Sequence, residues 1–159
     1  MRLTPINMAE AIFEPFWDPD LSGLAHWTIA DGSSHGLRVY QYWCFVNVEW
    51  MQRPAAGPAL HMERTFDLDC SGYDHLIISV MAPEGSVLRL MVTTDKGNVS
   101  FSSPPAPRLK KEYAIDLQGA TRLGTITIEL DAAADGQAAG WFNWIGLQNA
   151  ALLQRYLAE

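Results

Sequence analysis

The chain has no run of about 18 consecutive apolar residues, the length that a bilayer-spanning helix needs, so no membrane-spanning helix is expected. It is also short of positive charge. Its 11 Lys and Arg face 18 Asp and Glu, for a net charge of −7, and the cations form no cluster or stripe. Nucleic acid and anionic membrane surfaces both call for clustered positive charge, so neither is expected as a partner. There are only two cysteines, Cys44 and Cys70. Two do not make a disulfide framework; buried free thiols are the expectation, with one bridge as the alternative. No CxxC pair or histidine-rich cluster is present, which argues against zinc. Neither cysteine sits in a nucleophile signature. The first residues, Met1 to Asn7, lack an apolar stretch of signal-peptide length. The expectation is therefore a cytoplasmic chain, or a module of a longer exported protein that would be extracellular.

What the chain does hold is alternation. Its 159 residues suit one domain, 1–159, with a full core, and aromatics are somewhat high at 11%. Gly124 to Asp131 alternates most cleanly: Ile126, Ile128 and Leu130 read as core, and Thr125, Thr127 and Glu129 as open. Ala59 to Leu68 places Leu60, Met62, Phe66 and Leu68 on one side and His61, Glu63, Thr65 and Asp67 on the other. Arg64 interrupts the apolar side, so its stem packs while its head reaches out or pairs. Leu37 to Met51 is too long for one ordinary strand, which predicts a bulge or bend near Trp43-Cys44. Tyr73–Met81 and Ser86–Thr94 read as a hairpin-like pair around Ala82-Pro83-Glu84-Gly85. Lys111–Leu117 is a further strand, and Asp95-Lys96-Gly97-Asn98 a turn. In Trp141 to Leu147, alternation sends Trp141, Asn143, Ile145 and Leu147 one way and Phe142 and Trp144 the other. Large apolar groups on both faces mark a central strand. Asn149 is a candidate cap for a short C-terminal helix over about 149–158, amphipathic through Leu152, Leu153, Tyr156 and Leu157. Eight to ten strands at regular spacing predict an all-β, antiparallel β-sandwich over about 9–147.

An aromatic closing strand with Asn143 just before Trp144-Ile145 resembles the last strand of galactose-binding-like β-jelly-rolls. That superfamily includes many carbohydrate-binding modules attached to carbohydrate-active enzymes. The resemblance implies a jelly roll whose opening strand lies beside its last. It also implies a structural calcium near those two strands, with Glu14 and Asn143 at the matching positions. The family pattern usually has Asp where this chain has Asn143, and an amide oxygen binds calcium less strongly than a carboxylate. On the residues alone, Glu14 is a surface carboxylate and Asn143 an amide bonded to backbone.

The open face offers chemistry suited to sugar. A pyranose stacks its C–H face on an aromatic ring, and its hydroxyls need groups that donate and accept hydrogen bonds. Candidate rings are Tyr40, Tyr42, Trp50 and Trp141; candidate polar partners are His61, Glu63, Arg89 and Glu129. Against this, any single Trp in so aromatic a sandwich can be core, and Arg89 can pair with Glu129 or Glu63 in a solvated ladder. The leading expectation is a non-catalytic module that binds a poly- or oligosaccharide, serving a catalytic domain of a parent protein. A docking domain without sugar binding is the second. The third is a small jelly-roll enzyme using His61: His61-x-Glu63 resembles a fragment of the cupin metal motif, but the rest of that motif is absent.

Overall fold

A computed structural model of the chain describes residues 11–16, 18, 26–29, 37–42, 45–50, 60–107, 109–131 and 139–149, with the backbone alone for 37–42, 45–50 and 139. These residues form eleven strands: β1 (Ala11–Pro15), β2 (Thr28–Ile29), β3 (Leu37–Tyr42), β4 (Phe45–Trp50), β5 (Leu60–Asp69), β6 (His75–Met81), β7 (Val87–Thr94), β8 (Gly97–Ser102), β9 (Lys111–Asp116), β10 (Arg122–Asp131) and β11 (Ala139–Gln148). They build two sheets. One runs β3-β4-β11-β6-β9, with β1 also paired to β11; the other runs β2-β5-β10-β7-β8. Every ladder is antiparallel. The fold is the expected antiparallel β-sandwich, and the opening strand lies beside the closing one. The short C-terminal helix, Trp17, Trp43 and Cys44 fall outside the described residues.

The core lies between the inner faces. From the five-stranded sheet come Leu88, Leu90 and Val92 of β7 and Ile126, Ile128 and Leu130 of β10; from the other come Leu76, Ile78 and Val80 of β6 and Phe142, Ile145 and Leu147 of β11. Burying each such side chain contributes about 1.5–3 kcal/mol. Much of the aromatic content is interior too. Phe16 packs on Trp27 and Phe142, and Phe13 meets Phe66 edge to face, all with ring centroids 5.0–5.5 Å apart. Cys70 is a buried free thiol.

The structure departs from the sequence pattern in three places. Leu37 to Trp50 is not one bent strand: β3 and β4 pair as a hairpin, with Tyr42 opposite Phe45, so the chain reverses between these two residues. β6 and β7 are not a hairpin either. β6 sits between β11 and β9, while β7 lies in the other sheet between β10 and β8. Val80 is core and Ser79 is also buried, so β6 is covered on both faces and suits a central position. The crossover is held by Ser86, whose N–H and hydroxyl both donate to the Pro83 carbonyl, and by Gly85 N–H and Ser86 O, which bond Ala106. Third, β11 does not alternate throughout. Its register against β6 jumps between Phe142 and Trp144. The extra residue is Asn143, and such a bulge flips parity. Phe142 and Ile145, three apart, both reach the core, and Trp144 is buried outside the core cluster.

Candidate functional site

The two outward faces differ. On the six-stranded sheet, Ile77, Ser79, Trp144 and Gln148 alternate away from the core and are nonetheless buried. That face is closed at its centre. On the five-stranded sheet the outward positions are open, and the registers assemble them into rows across the strands. One row is His61, Glu129, Arg89 and Ser102, from β5, β10, β7 and β8. The next is Thr28, Glu63, Thr127, Met91 and Ser100. A third begins with Thr65 and Thr125, whose hydroxyls are 2.7 Å apart, and continues to Thr93, whose Oγ1 accepts the Thr125 N–H at 2.7 Å.

The first row is an ionic ladder. His61 Nδ1 lies 3.5 Å from Glu129 Oε1, and Arg89 Nη2 lies 3.5 Å from Glu129 Oε2. Arg89 also donates two bonds to Asp131, at 2.5 and 2.7 Å. The parallel guanidinium–carboxylate fork is the strongest geometry available to such a pair. The Asp131 bonds raise the Arg89 pKa above its usual value, with Glu129 adding to the effect. These groups are 30–42% exposed, and such pairs contribute only about 0–1 kcal/mol to stability. Beside them is a cleft of about 410 Å³, lined by Arg89, Met91, Ser100, Ser102, Thr127 and Glu129 among others. Met91, 46% exposed, puts an apolar surface in the middle of this polar face. The arrangement offers donors and acceptors around an apolar floor on a rigid sheet.

Of the residues expected from sequence, the structure brings His61, Glu63, Arg89 and Glu129 together. It does not bring the expected rings to them. Tyr40 and Tyr42 belong to β3, Trp50 to β4 and Trp141 to β11, all in the other sheet. Tyr40 and Trp141 share a cross-strand row through Asn47 there. Trp141 is partly exposed and lines a separate cleft of about 410 Å³ with Met81, Ala82, Pro83 and Glu84. The side chains of Tyr40, Tyr42 and Trp50 lie outside the described residues. Sequence reasoning missed Asp131, Met91, Ser100 and Ser102 as members of the site. The signal for Asp131 was present, since it follows Glu129 by two residues in the cleanest alternation of the chain.

Glu14 and Asn143 do not converge. Glu14 is wholly buried in the sandwich interior, where its Oε2 accepts bonds from Arg64 Nη1 and, at 3.2 Å, from Trp27 Nε1. Arg64 also lies over the Phe66 ring. Asn143 donates to Ser79 Oγ at 3.5 Å, on the opposite side of the sheet. Calcium asks for six to eight oxygens. Here one carboxylate already faces a guanidinium, and no group of three or more His, Cys, Asp or Glu among the described residues is placed to hold a metal. The donor set at these two positions does not fit calcium. Burial raises the Glu14 pKa to about 7, outweighing the opposing pull of Arg64 and of the Trp27 and Arg64 hydrogen bonds. Its Oε1 is buried without a hydrogen-bond partner among the described residues.

No protein-family model matches this sequence, and no curated protein matches it. Solved structures do share its fold. An agarase matches with a TM-score of 0.64 at 10% identity over 88% of this chain, which spans only 26% of the agarase. A family 11 carbohydrate-binding module from Clostridium thermocellum, solved with a β-1,3-1,4-mixed-linked tetrasaccharide, matches with a TM-score of 0.57 at 13% identity, covering 91% of this chain and 98% of the module. A family 29 carbohydrate-binding module matches with a TM-score of 0.53 at 14% identity, covering 87% and 90%. At these identities the likeness concerns the fold, and the fold of this chain is the β-sandwich of carbohydrate-binding modules.

Proposed function

We propose that this protein binds a carbohydrate chain on the open face of its five-stranded sheet and performs no chemistry on it. The observation that carries this reading is the row His61–Glu129–Arg89–Ser102 beside a cleft floored by Met91. Sugar hydroxyls both donate and accept. A guanidinium, carboxylates and serine and threonine hydroxyls on neighbouring strands satisfy both needs. The sheet holds these groups in fixed register, so little ordering entropy is lost on binding. A binding role also suits Glu129, whose two oxygens are already engaged by His61 and Arg89. A general base needs an oxygen facing the proton it removes.

Of the structures of like fold, the family 11 and family 29 carbohydrate-binding modules are matched over nearly their full length. The agarase, matched over about a quarter of its length, supports the further reading of an accessory module beside a catalytic domain. The test is affinity electrophoresis and calorimetry against a panel of soluble polysaccharides and oligosaccharides, with and without calcium. Saturable binding to at least one member is expected, with no calcium requirement. Absence of binding across the panel in both conditions would overturn the proposal.

A further inference from the structure

The charges on this face say which class of carbohydrate it accepts. Acidic polysaccharides carry carboxylate or sulfate groups, and a protein that recognises them supplies cations free to pair. Among the described residues, each arginine of the five-stranded sheet is already engaged. Arg64 turns inward to Glu14. Arg89 is gripped by Asp131 through two bonds and flanked by Glu129. Arg122, at the far end of the sheet, donates to an Asp67 carboxylate oxygen at 2.8 and 3.2 Å and to the Asp67 carbonyl at 3.0 Å. Lys96 lies in the turn between β7 and β8, beyond the face and next to Asp95 in the chain. Around the cleft, then, one guanidinium meets two carboxylates, Glu129 and Asp131, and a third, Glu63, stands in the next row. Glu63 is exposed and makes no ion pair or hydrogen bond among the described residues. Among the described residues, the charge left over on the face is negative.

We infer that the site takes chains that carry neither carboxylate nor sulfate, and that Asp131 is the residue that sets this preference by occupying Arg89. This inference rests on the carbohydrate-binding reading and adds the ligand class to it. An incoming anion would have to displace Asp131 from Arg89 and then sit beside Glu129 and Glu63. A neutral hydroxyl can accept from an Arg89 N–H and donate to Glu63 or Glu129 without displacing anything.

The experiment compares neutral and acidic polymers on the wild-type chain and on Asp131→Asn and Glu129→Gln variants. The probes are agarose and a mixed-linkage β-glucan on one side, and a sulfated galactan and a polyuronate on the other. Wild type is expected to bind a neutral polymer and neither acidic one, with affinity changing less than about twofold between roughly 20 and 500 mM salt. Asp131→Asn frees Arg89 and is expected to raise affinity for an acidic polymer by about tenfold or more at low salt, with the gain lost at high salt. Glu129→Gln, which leaves the Arg89–Asp131 fork intact, is expected to give a smaller gain. Circular dichroism and thermal melts establish that each variant is folded. Tighter binding of wild type to an acidic polymer than to any neutral one would overturn the inference and leave carbohydrate binding standing. So would an Asp131→Asn variant, folded and still binding a neutral polymer, without any gain on the acidic ones. Failure to bind any of the polymers would overturn both.

Discussion

Replacing Glu14 by Gln tests whether desolvation or the Arg64 charge governs the interior carboxylate. Glu14 has no solvent exposure, and its pKa rises from 4.5 to about 7. The native state therefore holds a proton that the unfolded chain releases across this window. Linkage gives the sign: the contribution of Glu14 to stability is greatest below pH 4.5 and is lost as pH rises through about 7. A rise of that size corresponds to about 3 kcal/mol. Glu14→Gln keeps the shape and an oxygen for Arg64 and Trp27 but cannot ionise. Urea denaturation of both proteins between pH 4.5 and 8.5 isolates the effect, because titration of the remaining groups cancels in the difference. Asp95, whose pKa is lowered to about 2 by hydrogen bonds from Thr121 and Arg122, titrates below the window. The variant should gain about 3 kcal/mol on wild type from the acid to the alkaline end, a relative midpoint shift of about 1–3 M urea. A difference that stays flat, or runs the other way, would show that Arg64 holds Glu14 ionised and that the desolvation argument is wrong.

Arg89→Ala should weaken carbohydrate binding by about 10- to 100-fold, the loss of a charge-assisted hydrogen bond worth roughly 1.5–3 kcal/mol, with the melting temperature nearly unchanged; calorimetry and a thermal scan check both halves. Gly124→Ala builds a Cβ 2.5 Å from Thr93 Oγ1, at the β10 bulge where that hydroxyl accepts the Thr125 N–H, and should cost about 1–3 kcal/mol in urea denaturation. Gln118 holds a left-handed backbone, with φ of 54°; Gln118→Gly removes a strain of about 1–2 kcal/mol, partly offset by glycine's entropy in the unfolded chain, so a rise of a few degrees in melting temperature is expected.

Local alternation made some features legible and left others hidden. In β10, period 2 separated Ile126, Ile128 and Leu130 from Thr125, Thr127 and Glu129, and the structure agrees. The same parity found His61, Glu63, Arg89 and Glu129. Parity says which side of its own strand a residue takes; it does not say to which sheet the strand belongs. That is why Trp141 and the tyrosines were grouped with polar residues from which the sandwich separates them. The β6–β7 crossover was hidden for the same reason, since Ala82-Pro83-Glu84-Gly85 punctuates a hairpin and a crossover alike. The reversal between Tyr42 and Phe45 has no Asn, Asp or Gly in the sequence to announce it. The Asn143 bulge depends on how β11 registers against β6, a contact across more than sixty residues of sequence. Glu14 read as a surface carboxylate because only the fold brings Arg64 and Trp27 to it.

Among the described residues, the central strand of the larger sheet is also its last in sequence. β11 fills the space between β4 and β6 and takes β1 along its remaining edge, so Ala11 waits for Leu147. Until then β4 and β6 each lack a neighbour and present unpaired backbone donors and acceptors, a template for strands of other molecules. Such late, distant pairing slows folding and prolongs the time a nascent or truncated chain spends open to aggregation. A chain that stops before residue 139 leaves two sticky edges, and the ten residues of β11 close both.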